Sequence, residues 1–381
     1  MAAVEAVGFP PAPVIREEQP GWREDLRIAL VPWLIARVLV GAVLGLIHYL
    51  VGQVGDQHPG VHLKHVGLYG WDAGWYKALA IGGYASQPRD ALRFFPLLPQ
   101  VVHWLGLGGH AAGPILLIVV NVAALAYGML FARLLRVEGA DIGTIVRAQW
   151  LLALAPPAFV LVMGYTEAVF GLLAVGMFLA MRTGRWPVAV ACGLLAGLCR
   201  PVGVLLALPA LVEAWQSRDR PLLARLAPVV APLAGAAIYL GWVWARHGDA
   251  LLPIRVQQEA GRHGEAANPL HVLSTAARGT FHGQVGTGLH LPWLVLFVIL
   301  LVVLARKWPL SWTVWSAATL IAILVGSNLD SSERYAWGVF PFVVAAAGLL
   351  KRPLVWQTVL VLSTAGFVAY ATLAFLTFYV P

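Results

Sequence analysis

Residues 112–135 read AGPILLIVVNVAALAYGMLFARLL, with one charged side chain, Arg133, close to the end. A helix of about 20 predominantly apolar residues matches the ~30 Å hydrocarbon core of a bilayer, and such a run restricts the chain to few other environments. Comparable apolar segments fall at 28–51, 145–163, 165–181, 187–199, 201–215, 222–245, 291–305, 310–327, 336–350 and 354–378. Only 12% of the 381 residues are charged and 60% are hydrophobic, whereas soluble domains carry about 25% charged residues. The sequence therefore describes an all-α polytopic membrane protein with about eleven transmembrane helices. Residues 1–27, with Pro10, Pro11, Pro13 and Pro20 and mixed charge, lack the apolar core of a signal peptide and read as a cytoplasmic tail before a membrane domain at 28–381.

Charge orients the segments. With the N-terminus inside, the short inner turns collect Arg16, Arg23, Arg27, Arg133, Arg136, Arg147, Arg182, Arg185, Arg218, Arg220, Arg225, Arg306, Lys307, Lys351 and Arg352. Short loops flanking helix ends are where the positive-inside rule is strongest. The net charge of +8 is thereby directed to membrane lipids and cytoplasmic turns, not to nucleic acid. Cys192 and Cys199 lie inside an apolar run and read as buried free thiols. Between the basic turns at 182–185 and 218–225 the chain must cross an even number of times with few apolar residues. Proline disfavours helix continuation, so Arg200-Pro201 marks two short helices or a re-entrant pair, with Arg200 facing an outward cavity.

This orientation leaves residues 52–111 and 246–290 as long external loops, and loops of such length usually carry structure or function. The first holds Tyr69–Pro99, YGWDAGWYKALAIGGYASQPRDALRFFPLLP, the longest polar, aromatic-rich interval of the chain. Within it Trp71, Trp75, Leu79 and Ile81 approximate one face of an interfacial helix, and Phe94–Leu107 is an apolar piece too short to span.

The ionisable residues of the outer face are the chemical candidates. Asp72 reads either as a helix N-cap or as a proton acceptor. Glu167 in GYTEAVFGLL caps the following helix or serves a site, since an ionisable group at that depth is a functional candidate. Arg200 in GLCRPVG snorkels to headgroups or enters the site. In SNLDSSERYAWGVFP, a capping box accounts for Glu333, while Arg334 suits a phosphate or sugar contact. The second loop, PIRVQQEAGRHGEAANPLHV, reads as a solvated loop or as the lining of an acceptor site. His62 and His65 have an i, i+3 spacing compatible with metal, but no third ligand accompanies them.

WDAGWYKALAIGGY followed by RFFPLLP resembles the signature of the PIG-V family (GPI mannosyltransferase 2 and its bacterial relatives). MGYTEAVFGLL, GLCRPVG and ERYAWGVFP resemble later segments of that family in the same order. The resemblance implies a GT-C fold with a long first external loop and an active site at the outer face of a plasma membrane. It further implies a polyprenyl-phosphate-mannose donor, inversion at the anomeric carbon, and neither metal nor other cofactor. Asp72 matches the loop aspartate that acts as base. Inverting transfer needs such a carboxylate to take the acceptor's proton and cations where charge develops on the leaving phosphate. Arg93, Arg200 and Arg334 are the candidate cations. Trp71, Trp75, Tyr76, Phe94, Phe95, Tyr165, Glu167, Tyr335 and His65 are the candidate substrate contacts. The acceptor is expected to be a lipid or glycan hydroxyl. Transfer of another lipid-linked sugar or onto protein, a polytopic lipid or sugar transporter, and a silent membrane scaffold are the alternatives.

The orientation is directly testable. A cysteine placed at Ser86 should react with an impermeant thiol reagent on intact cells, and one at Ser217 should not. The reverse pattern would overturn the topology.

Overall fold

The computed structural model describes residues 21–57, 65–259, 267–282, 290–327, 329–379 and 381. All the regular elements among them are helical. Helix α1 (Trp22–Gln57) runs past both ends of its expected apolar span, so the first residues of the expected external loop belong to it. That loop then folds into α2 (Asp72–Gly82), two 3-10 turns (Tyr84–Ser86 and Arg89–Arg93) and α3 (Leu97–Leu105). The chain continues through α4 (Ala112–Val137), α5 (Ile142–Leu154), α6 (Glu167–Arg182), α7 (Trp186–Cys199) and α8 (Ala207–Gln216). Helix α9 (Leu222–His247) leads to the second loop, which contains α10 (Leu252–Gln257) and α11 (Pro269–Phe281). The last elements are α12 (His290–Lys307), α13 (Leu310–Val325), α14 (Ser332–Trp337), α15 (Phe340–Leu349) and α16 (Pro353–Phe375).

Among the described residues five helices, α1, α4, α9, α12 and α16, have the length and apolar character to cross a membrane. Two of the shorter apolar segments end where proline ends them. Pro156-Pro157 converts the end of α5 into a 3-10 turn, Pro156–Leu161. Pro201 does the same after α7: Arg200 is extended (φ −153°, ψ 151°) and a 3-10 turn, Pro201–Leu206, leads into α8. A proline there cannot supply the hydrogen bond that would continue the helix.

Close backbone approach packs α7 on α9. A Cβ at Gly197 would stand 2.0 Å from the Pro232 carbonyl oxygen, and one at Gly235 2.0 Å from that of Leu194. Small residues of this kind let helices touch where no hydrophobic drive separates helix from lipid. An aromatic core joins α4, α6, α13 and α15: the Phe340 ring lies 5.0–5.6 Å from those of Phe131, Phe178, Trp312 and Trp315.

The face of α2 differs from the expected one. Ala73, Tyr76, Leu79 and Ala80 are buried, while Ile81 is exposed. Packing on α3 and α4 selects that stripe in place of the Trp71–Trp75 side. Helix α3 and the turn after it leave Trp104, Leu105 and Leu107 exposed, in keeping with a short helix lying against lipid. Cys192 and Cys199 are both free thiols.

Ion pairs tie helix ends together at one end of α6. Asp25, fully buried at the start of α1, meets Arg133 at 2.6 Å and Arg136 at 2.9 Å on α4. Arg136 also holds Glu24 at 2.8 Å, and Arg182 at the end of α6 bonds both Glu138 and Glu213. Arg133, Arg136 and Arg182, assigned from sequence to the short inner turns, are thus engaged by carboxylates. Glu167 begins the same helix, about 22 Å away at 1.5 Å per residue. Removing one member of a buried pair strands the other charge. Asp25→Ala should therefore lower stability by about 3 kcal/mol, read as a lower melting temperature of the detergent-purified protein.

Candidate functional site

Asp72 opens α2, but its side chain makes no capping bond. Instead Oδ2 accepts from Arg334 Nη1 at 3.1 Å, across 262 positions of sequence. The backbone turn before it is unusual. Trp71 has φ 55°, ψ −130°, a region sparsely populated by residues with a side chain and costing about 1–3 kcal/mol. Its indole Nε1 donates to the Ala374 carbonyl at 3.0 Å, which fixes the ring and with it the entry to α2. Ser331, just before α14, is also left-handed (φ 61°), and its hydroxyl donates to the Pro381 carbonyl at 2.8 Å. Both partners of the Asp72–Arg334 pair therefore follow a strained non-glycine residue tied to the end of the chain. Val66 adds a third tie, donating to the Phe375 carbonyl at 2.7 Å.

Glu167 is buried where Thr166 starts α6, without a side-chain cap. Its Oε1 stands 2.7 Å from Arg200 Nη1 and 3.6 Å from Arg334 Nε. The pairing with two cations replaces the capping role weighed from sequence. Arg200 reaches it because Pro201 ends α7 and leaves the preceding residue extended. Arg334 Nη2 donates to Tyr335 Oη at 2.9 Å, and its guanidinium lies over the Tyr165 and Tyr335 rings at 5.2 and 4.6 Å. Arg200 lies over Tyr335 and Phe170 at 5.5 and 5.9 Å. Burial opposes the charge on Arg334, but Tyr335, Glu167 and Asp72 outweigh it and hold its pKa well above the ordinary guanidinium value. Tyr76, beside the cluster, is raised by burial and by Asp72 and remains neutral. Tyr165 Oη accepts from the Asp72 amide at 3.4 Å, and Tyr76 Oη is 3.3 Å from Thr166 Oγ1.

Seven of the residues singled out in the sequence thus come together: Asp72, Tyr76, Tyr165, Glu167, Arg200, Arg334 and Tyr335. Trp75 and Phe94 form an adjoining layer, stacked at 5.6 Å, with Phe94 edge-on to Tyr76 at 5.2 Å. Phe95 packs elsewhere, 4.7 Å from the ring of Tyr239. Arg93 is directed to the second loop, donating to Gln257 Oε1 at 3.1 Å and to the Asp90 carbonyl, while neighbouring Arg89 bonds Glu259. His65 is exposed, edge-on to His48 at 6.5 Å; His62 lies outside the described residues.

Glu333 is no capping-box residue. It is fully buried and accepts from His290 Nδ1 at 2.7 Å, from Ser332 Oγ at 3.2 Å and from Tyr379 Oη. Sequence reasoning missed this network because its members lie far apart in the chain. It also missed Phe170, Val202, Trp315 and Thr319, which line a cavity with Glu167, Arg200, Arg334 and Tyr335. These sit in apolar runs where nothing separates a lining residue from core.

Asp72 is 38% exposed at its side chain, against 4% for Arg334. Its Oδ1 takes no hydrogen bond among the described residues. The arrangement is a carboxylate held in one orientation by a buried cation, with one oxygen open, beside a second cation and a cavity with aromatic walls. Such a group can accept a proton from a bound hydroxyl.

Glu333→Ala would leave several buried donors without an acceptor. It should destabilise the protein by roughly 3–5 kcal/mol, measured by thermal or denaturant unfolding, and Glu333→Gln by less.

Across the whole chain, no protein-family model matches this sequence, and no curated protein matches it; the likeness to the PIG-V family rests on the motifs quoted above.

Proposed function

We propose that this protein is a polytopic membrane glycosyltransferase of the GT-C kind, moving mannose with inversion from polyprenyl-phosphate-mannose to a hydroxyl of a lipid or glycan. In this reading about eleven segments cross the plasma membrane, the N-terminus is cytoplasmic, and the polar cluster faces the extracytoplasmic side. The observation that carries the reading is the placement of Asp72. A half-exposed carboxylate is oriented by a buried arginine from the far end of the chain, and one of its oxygens is open.

The chemistry follows from the geometry. Asp72 Oδ1 takes the proton of the acceptor hydroxyl as its oxygen attacks the anomeric carbon, while the bond from that carbon to the lipid phosphate oxygen breaks. A general base of this sort contributes about 10²–10⁴-fold. The pair with Arg334 fixes the direction of Asp72, so Arg334 acts as a positioning residue: it is already engaged by Asp72, Tyr335 and Glu167. Arg200, whose one polar side-chain partner among the described residues is Glu167, is the cation with N–H groups left for the departing phosphate. Arg93, bonded toward the second loop, is assigned no phosphate contact.

The test is turnover with polyprenyl-phosphate-mannose against lipid, glycan and peptide acceptors. Asp72→Asn should lose transfer by about 10²-fold or more while folding and binding donor as before. Undiminished turnover in that variant would remove Asp72 from the chemistry.

A further inference from the structure

The arm between α5 and α6, residues 155–166, is 3-10 or irregular in backbone and mostly buried. Such backbone at membrane depth is tolerated only where protein or a watery cavity satisfies its polar groups. In a continued helix the Leu161 and Val162 carbonyls would accept from the amides of Tyr165 and Thr166. Here the chain turns away, and the Tyr165 amide donates to the Met163 carbonyl at 2.7 Å. Two side chains take over. Arg37 Nη2 donates to the Leu161 carbonyl at 3.0 Å and Asn121 Nδ2 to the Val162 carbonyl at 3.2 Å. Arg37 Nε also donates to Asn121 Oδ1 at 2.8 Å, so the two side chains form one clamp.

Arg37 belongs to α1 and Asn121 to α4, both apolar enough to cross a membrane. A charge inside such a helix is costly, and among the described residues no carboxylate pairs with Arg37. Its remaining partners are the Trp33 carbonyl at 3.1 Å and the Trp33 ring at 4.4 Å. Asp25 lies about 18 Å away along α1, at 1.5 Å per residue, which puts the ion pairs of that end out of reach. The cation is therefore spent on backbone, and the backbone it holds leads into the site. Tyr165 Oη accepts from the Asp72 amide, Thr166 Oγ1 meets Tyr76 Oη, and Glu167 pairs with Arg200. The arm is also wedged against α2: the Gly164 amide donates to the Leu68 carbonyl at 3.2 Å, and a Cβ on Gly164 would stand 3.2 Å from that of Ala73. A shift at Leu161 or Val162 thus reaches Asp72 through Tyr165 and Ala73.

We infer that Arg37 and Asn121 are positioning residues, which fix the Leu161 and Val162 carbonyls so that Tyr165 and Glu167 hold Asp72 and Arg200 in place. The effect on transfer rests on the transferase reading; the hold on the arm does not.

Two variants test the clamp. Arg37→Met removes the donor to Leu161. Asn121→Asp keeps an acceptor for Arg37 and gives it a carboxylate, but cannot donate to Val162. Each is purified as the full chain in detergent and measured by peptide-resolved hydrogen exchange and by turnover of farnesyl-phosphate-mannose against lipid, glycan and peptide acceptors. Amides of residues 159–170 should exchange about tenfold faster or more in both variants, with those of α9 and α12 unchanged. The kcat should fall by about tenfold or more, with a smaller change in donor KM. If one variant does not fold, the other decides. Faster exchange throughout the chain, or no folded protein from either variant, makes the clamp a general support of the fold and overturns the inference. So does wild-type exchange in the arm, or faster exchange there with unaltered kcat. If wild type transfers nothing, faster exchange confined to the arm keeps the clamp and removes the transferase reading.

Discussion

Two guanidinium groups, Arg200 and Arg334, sit almost out of reach of water, and the site is arranged around keeping them there. A buried cation is tolerable only beside a carboxylate with good geometry. Glu167 serves both cations, and Asp72 serves Arg334 from the opposite side. The four charges come from α2, the start of α6, the break after α7 and α14, so none of these elements can shift without stranding a charge. The left-handed turns at Trp71 and Ser331 are the local cost of that agreement. Each is held by a hydrogen bond to the end of the chain, so the strain is stabilised by contacts remote in sequence.

Much of the scaffold was legible in the sequence, because a bilayer leaves so few options. Apolar runs announced the helices, and Arg200-Pro201 announced the break that turns Arg200 inward, since proline's missing donor is a local fact. The partners of Asp72 were not legible. Nothing near Asp72 or Arg334 in sequence signals a contact across 262 positions, and each had another reading, Asp72 as a cap or proton acceptor and Arg334 as a phosphate or sugar contact. Glu333 misled for the same reason: local pattern suggested a helix cap, while its donors came from His290, Ser332 and Tyr379. Trp315 and Thr319 gave no signal, since an apolar helix buries its cavity-lining and core-facing residues alike. The basic residues of the short inner turns were counted only for orientation, and several of them hold Asp25, Glu138 and Glu213; composition counts charges without pairing them.

The ties from the end of α16 and the residues after it have a consequence for biosynthesis. Ala374, Phe375, Tyr379 and Pro381 contact Trp71, Val66, Glu333 and Ser331 in turn. A ribosome makes these residues after everything they hold. During insertion, the arm bearing Asp72 and the arm bearing Arg334 therefore lack the contacts that fix both of them. The polar centre closes only when α16 has docked. A nascent chain stalled before that point would carry the earlier helices but not the ordered charge cluster.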